Sequence, residues 1–195
     1  MTGDLNISRR SWRTLLAEFR IPMKCLPIYV ILAGYFIYAL ARYSSLDGEY
    51  STVFWYIHGV FHEVGHAVTR WAGETVCVLS GTLFQILTPV ACGVYFCFSN
   101  EKHATLMTIG WLGFALLDSA SYMRDAVEMQ LPLVAPFVSS DGLIHDWNWL
   151  FTHWGILRHA KAIGNAVAAL GRGAVVLSLL LIVVAALPWR KTDVE

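Results

Sequence analysis

The sequence predicts an all-α, polytopic membrane protein of about five to six transmembrane helices, and three observations lead there. Of the 195 residues, 14% are charged and 56% hydrophobic, with a mean hydropathy of +0.54. Soluble domains carry about 25% charged residues, so too little charge is present to cover a soluble surface. Residues 25–41, 75–100 and 173–189 contain no Asp, Glu, Lys or Arg, and each run is close to the roughly 20 residues a helix needs to cross the hydrocarbon core. Polar, turn-forming stretches such as SSLDGEY separate the apolar runs.

Residues 1–24 form a basic arm in which Trp12, Leu15, Leu16 and Phe19 recur at helical spacing opposite arginines, a pattern suited to the membrane surface. Arg9, Arg10, Arg13, Arg20 and Lys24 make a cytoplasmic N-terminus the expectation. The first apolar run starts only after this arm, so it reads as a retained membrane helix rather than a secretory signal. Residues 25–195 are expected to form one membrane-embedded helical domain.

Helix one is predicted over 26–42, and helix two over 51–71, stopping at Gly73. Helix three is predicted over 76–98, where Gly81, Pro89 and Gly93 suggest a kink or a re-entrant break. Helix four, 103–123, carries a single charge, Asp118. A polar loop over about 124–158 holds too many charges and breakers to span. A last helix, 167–187, is expected to begin near Gly171-Arg172-Gly173. Five crossings would leave Arg190 and Lys191 opposite the N-terminus, so a dip of 147–157 into the membrane is the alternative.

Two function classes recede on composition. Fourteen basic and 14 acidic residues give a formal net charge of zero, which leaves no basic face to draw nucleic acid by counterion release. Cys25, Cys77, Cys92 and Cys97 lack CxxC spacing and are expected to be small buried hydrophobes.

The chemistry concentrates in FHEVGHAVTR, residues 61–70. On a helix, His62 and His66 lie on one face a turn apart, so both imidazoles can meet one ion. Zinc takes such nitrogens at about 2.0–2.1 Å, and a catalytic zinc keeps a position for water. Glu63 stands beside them as a general base for that water. With seven His and seven Glu, an HExxH arises by chance in about one such chain in a hundred. A carboxylate in a membrane helix also costs about 3 kcal/mol or more unless it serves a purpose. His58, a turn earlier, is a structural histidine, an outer-shell donor or a substrate contact; Gly65 is expected to let another backbone approach.

HEVGHA in a membrane helix resembles the zinc-binding motif of the site-2 protease class of intramembrane metalloproteases. The following Gly73-Glu74 and Ser80-Gly81-Thr82-Leu83-Phe84-Gln85 are similar to that family's next core helix, and the resemblance covers about residues 54–89. It implies a membrane-embedded protease acting on membrane-spanning or membrane-proximal peptides, with Gln85 as the polar amide near the active site. It also implies an Asp-Gly third ligand on a later element, for which Asp141-Gly142 is the match.

Two histidines do not complete a catalytic site. Asp118 is the first physical candidate for the third ligand, because helices two and four run the same way and a lone membrane carboxylate seeks a cation. Tyr122 and Asp125 continue its stripe as outer-shell or substrate-facing groups. The HDW triplet follows, with Asp146 second and His145 beside it as a ligand or orienting group; Asp141 comes third. His103, His153 and His159 fall near helix ends and are not expected to ligate. The expectation is therefore a Zn2+ peptidase of the lipid bilayer with a membrane protein or peptide as substrate. Its rivals are a zinc-dependent hydrolase of lipid amides or esters and a non-catalytic metal-binding membrane protein, which has no need of Glu63.

Overall fold

The computed structural model describes residues 17–43, 52–131 and 144–187, and among these every regular element is helical. They are α1 (Leu26–Arg42), α2 (Val53–Thr69), α3 (Glu74–Phe98), α4 (Thr105–Asp125), the short α5 (Asp146–His153) and α6 (Ala160–Ala186). Single 3-10 turns lead into α1, α4 and α6, and one, Arg70–Ala72, leads out of α2. The first sixteen residues of the basic arm, the SSLDGEY turn, Asp141, Arg190 and Lys191 lie outside the described residues.

Local chemistry accounts for the ends. Pro27 sits in the first turn of α1, where its missing N–H has no intrahelical acceptor to lose. The Thr52 side chain caps α2 by accepting from Trp55 N at 3.4 Å. Between α2 and α3 the chain reverses at Gly73, whose φ of 93° excludes most side chains. Helix α3 runs unbroken through Pro89, so no re-entrant break forms there.

Among the described residues, four helices, counted with their lead-in turns, are long and apolar enough to cross a membrane: Met23–Arg42, Glu74–Phe98, Lys102–Asp125 and Leu157–Ala186. The all-α membrane bundle is as expected, with four such helices among the described residues against the five to six anticipated. Helix α2, predicted over 51–71, has only 17 residues and is not among the four. The 147–157 stretch, expected as a possible dip, holds the eight-residue α5, which packs with α3, α4 and α6. Apolar side chains such as Ile31 on α1, Leu87 on α3 and Leu180 on α6 point outward, a surface compatible with surrounding lipid.

Helix α4 lies at the centre, packed along α6 and flanked by α3 and α2. Its pairing with α6 depends on small residues. A Cβ on Gly113 would meet Val175 Cγ2 at 2.6 Å and Gly171 O at 2.7 Å, and one on Gly164 would meet Ala120 O at 2.8 Å. Backbones approach this closely only where side chains are absent. That contact also explains why α6 starts at Ala160, two turns before the predicted start: Gly171 is a packing position inside the helix, not a break before it. Ser178 fastens the far end by donating to Leu106 O at 2.6 Å. Phe36, Phe54 and Phe114 fill one core cluster, with Phe54 stacked on Phe114 at 4.3 Å. A second cluster, including Val78, Met123, Trp147, Phe151 and Ala160, joins α3, α4, α5 and α6 at one end of the bundle.

Gly171→Val should lower stability by about 1–3 kcal/mol through overpacking against α4. Gly173→Val, where a Cβ meets nothing within 4 Å, carries the same propensity change and should be far milder. Thermal unfolding of the two variants in detergent compares them, and equal losses would reject the close-approach account.

Candidate metal centre

Helix α2 presents His58, His62 and His66 at four-residue intervals along one face. The protein gives them different partners. His58 is buried and turns away from the other two: its Nε2 accepts from Trp111 Nε1 at 2.9 Å. The ring proton is therefore on Nδ1, which donates to Asp118 Oδ2. The other oxygen of Asp118 accepts from the Tyr43 hydroxyl, itself within 3.3 Å of Thr52 Oγ1. Asp118, His58, Trp111 and Tyr43 thus form a satisfied polar clamp tying α2 and α4 to the end of α1.

His62 and His66 meet a different carboxylate. Asp146 Oδ2 lies 2.8 Å from His62 Nε2 and 3.2 Å from His66 Nε2. His66 Nδ1 lies 2.8 Å from the carbonyl oxygen of Cys77 on α3. A carbonyl only accepts, so the ring proton sits on Nδ1 and the Nε2 lone pair faces Asp146. In the neutral ring a nitrogen lone pair would then confront a carboxylate oxygen across 3.2 Å. A cation between them, either a proton or a metal ion, removes that repulsion.

The donor set fits zinc. Bond lengths of about 2.0–2.2 Å at tetrahedral angles place neighbouring ligand atoms about 3.3 Å apart, close to the 3.2 Å between His66 and Asp146, while the 2.8 Å between His62 and Asp146 is a hydrogen-bond length that would open on binding. The Cys77 carbonyl behind His66 is the kind of outer-shell acceptor that orients a ligating imidazole. Gly81 supplies the space: a Cβ there would come within 2.6 Å of His66 Nε2 and 2.7 Å of His62 Nε2. Gly65 brings this part of α3 close, because a side chain on it would strike the Ser80 carbonyl. Glu63 is half-buried, its carboxylate can be grouped with the two imidazoles within 4.8 Å, and no described residue forms an ion pair or hydrogen bond with it.

A set of hydrogen bonds presents Asp146 from α5. Asp146 N donates to the Tyr122 hydroxyl at 3.0 Å, and Asn148 Nδ2 donates to Ala126 O at 2.7 Å. His145, not Asp146, caps α5: its Nδ1 accepts from Asn148 N at 3.2 Å, leaving Nε2 to donate to Asp125 Oδ2 at 3.2 Å. Asp125 also accepts from Gln130 N and Leu131 N. The His145 ring packs at a tilt against Tyr122 with centroids 4.2 Å apart. Burial pushes the His145 imidazole below its usual value despite Asp125, which agrees with its accepting role in the cap. For Asp146, burial acts to raise the carboxyl, but the two imidazoles more than reverse this and hold it below its ordinary value.

The sequence ranking of third-ligand candidates is thereby corrected in geometry. Asp118, ranked first, reaches His58 a turn back along α2, because it enters α4 one turn before Tyr122. Asp146, ranked second, has the position beside His62 and His66. Tyr122 and Asp125 hold α5 through Asp146 N and His145 Nε2 rather than extending a stripe from Asp118. Gln85 donates from Nε2 to Ala115 O at 3.0 Å, so its amide nitrogen holds α3 to α4. His103 stacks on Tyr29 and His153 on Trp149, away from the cluster. Sequence reasoning missed the Cys77 carbonyl and the Asn148 anchor. It also missed the role of Gly81, which only the α2–α3 crossing reveals.

No family model, curated protein or solved structure matches this chain.

Two substitutions separate the two carboxylates. Asp118→Ala should cost about 3 kcal/mol or more by stranding His58 in the core, while leaving zinc binding near wild type in protein that folds. Asp146→Ala should weaken zinc binding by an order of magnitude or more, with little change in melting of the metal-free protein. Chelator competition and thermal unfolding of both variants decide, and the reverse pattern would restore Asp118 as the ligand.

Proposed function

We propose that this chain is a membrane-embedded zinc metallopeptidase that hydrolyses peptide bonds in or near the bilayer. The observation that carries the reading is the convergence of His62 Nε2, His66 Nε2 and Asp146 Oδ2, with the His66 proton committed to the Cys77 carbonyl. These three side chains would hold the metal. When bound, zinc supplies a water acidified to a pKa of about 7 and a Lewis acid for the scissile carbonyl.

The remaining chemistry belongs to the chain. Glu63, free of partners among the described residues, takes the proton from the attacking water and gives it to the departing amine nitrogen. Gly81 keeps a side chain off the two imidazole nitrogens. Peptide substrates follow from the resemblance of HEVGHA and the stretch after it to the site-2 protease class. Their setting follows from the four helices among the described residues able to cross a membrane, and the basic residues of the N-terminal arm favour a cytoplasmic start. The unpartnered Glu63 favours catalysis over simple metal storage, since a binding site gains nothing from an extra half-buried carboxylate.

Metal analysis of purified protein should find about one zinc per chain, and little in the His62→Ala, His66→Ala double variant. Glu63→Gln should keep the zinc and lose at least about 10²-fold in hydrolysis of a helical membrane peptide. Protein without metal would refute the assignment. Zinc-loaded protein that cleaves a lipid amide or ester but no peptide would move it to the lipid hydrolases.

A further inference from the structure

Tyr122 does more than its bond to Asp146 requires. Its ring packs edge-on to His62 with centroids 6.0 Å apart and lies tilted against His145 at 4.2 Å. Its oxygen lies 3.0 Å from the backbone nitrogen of Asp146, the residue whose carboxylate meets both imidazoles. The hydroxyl therefore sits against the backbone of the residue whose carboxylate meets His62 and His66, and the ring flanks His62 itself. Among the described residues, the one hydrogen bond of this hydroxyl is the one it accepts. A phenolic hydrogen lies near the ring plane in one of two positions. Accepting from Asp146 N in one direction leaves the O–H aimed along the other.

Resting on the peptidase reading, we propose that Tyr122 is a catalytic residue whose O–H donates to the oxygen anion developing on the attacked peptide carbonyl. As the water oxygen bonds to the carbonyl carbon, the carbonyl π pair moves onto its oxygen and Glu63 accepts the water proton. When the C–N bond breaks, that pair re-forms the carbonyl, the C–N pair leaves on nitrogen, and Glu63 returns the proton there. Tyr122 gives a hydrogen bond throughout and transfers no proton. A preorganised donor in a site shielded from water is worth more than the same donor in solution, because it needs no reorientation as charge appears. Two other side-chain donors are less suited. The Gln85 amide nitrogen is committed to Ala115 O. Trp147 Nε1, buried without a partner among the described residues, lies in the apolar cluster beneath α5 with Phe151.

The test uses full-length zinc-loaded protein in detergent and Tyr122→Phe, which keeps the ring contacts and removes the hydroxyl. Three quantities are read: zinc affinity by chelator competition, affinity for a phosphonamidate peptide that mimics the tetrahedral anion, and steady-state kinetics on the matching peptide. The expected result is zinc affinity within about threefold of wild type, analogue affinity and kcat both lower by about 10²-fold, and KM little changed. Analogue affinity and kcat within threefold of wild type would overturn the proposal. Zinc affinity falling in step with kcat would also overturn it, reducing Tyr122 to a positioning residue for Asp146. If Tyr122→Phe fails to fold, Tyr122→3-fluorotyrosine keeps the contacts and strengthens the donor; tighter analogue binding supports the role and unchanged binding overturns it. Wild-type protein that holds zinc but neither binds the analogue nor cleaves the peptide defeats the peptidase reading itself, an outcome distinct from a variant that behaves like wild type.

Discussion

The site depends on one electrostatic constraint: two imidazole nitrogens and a carboxylate oxygen meet within about hydrogen-bonding distance of one another, while the proton that could ease one contact is held elsewhere. His66 gives its Nδ1 proton to the Cys77 carbonyl, and a low-dielectric surrounding makes the uncompensated cluster costly. Such an arrangement persists when a cation shares it. Much of the surrounding structure serves to impose it. Gly65 and Gly81 let α3 approach α2 closely enough for a backbone carbonyl to reach His66, and α5 is pinned to α4 at Tyr122, Ala126 and Asp125 so that Asp146 arrives from the other side.

The same face of α2 carries a second acid–imidazole pair with the opposite character. His58 and Asp118 are fully engaged, with Trp111 and Tyr43 taking up the remaining valences. A buried pair satisfied in this way leaves no lone pair directed at a ligand, and it is best understood as a clamp that fixes the rotation of α2 about its axis. That rotation sets where His62 and His66 point one and two turns later. The two pairs divide the work: one holds the helix, the other is left short of a positive charge.

Much of the fold was legible in the sequence because its signals are local. Uncharged runs, Pro27, Thr52 and Gly73 act within a few residues of themselves, and the all-α bundle with helices near the expected places follows from them. The crossing count was less legible. Whether 17 helical residues carrying His62, Glu63 and His66 span a bilayer depends on neighbours as well as composition. The early start of α6 was hidden for the same reason, since Gly171 reads as a break until Gly113 is seen against it.

The sequence by itself determined the pair of histidines, the glutamate beside them and the helix that holds them, because a four-residue spacing on a helix is enough to align two side chains. Only the tertiary structure decided which carboxylate joins them. Asp118 and Asp146 are both plausible partners by residue type, and they lie 60 and 84 positions from the histidines they meet. At such separations the contact is made by the crossing of α2 with α3 and the anchoring of α5 on α4, and neither leaves a periodic trace along the chain.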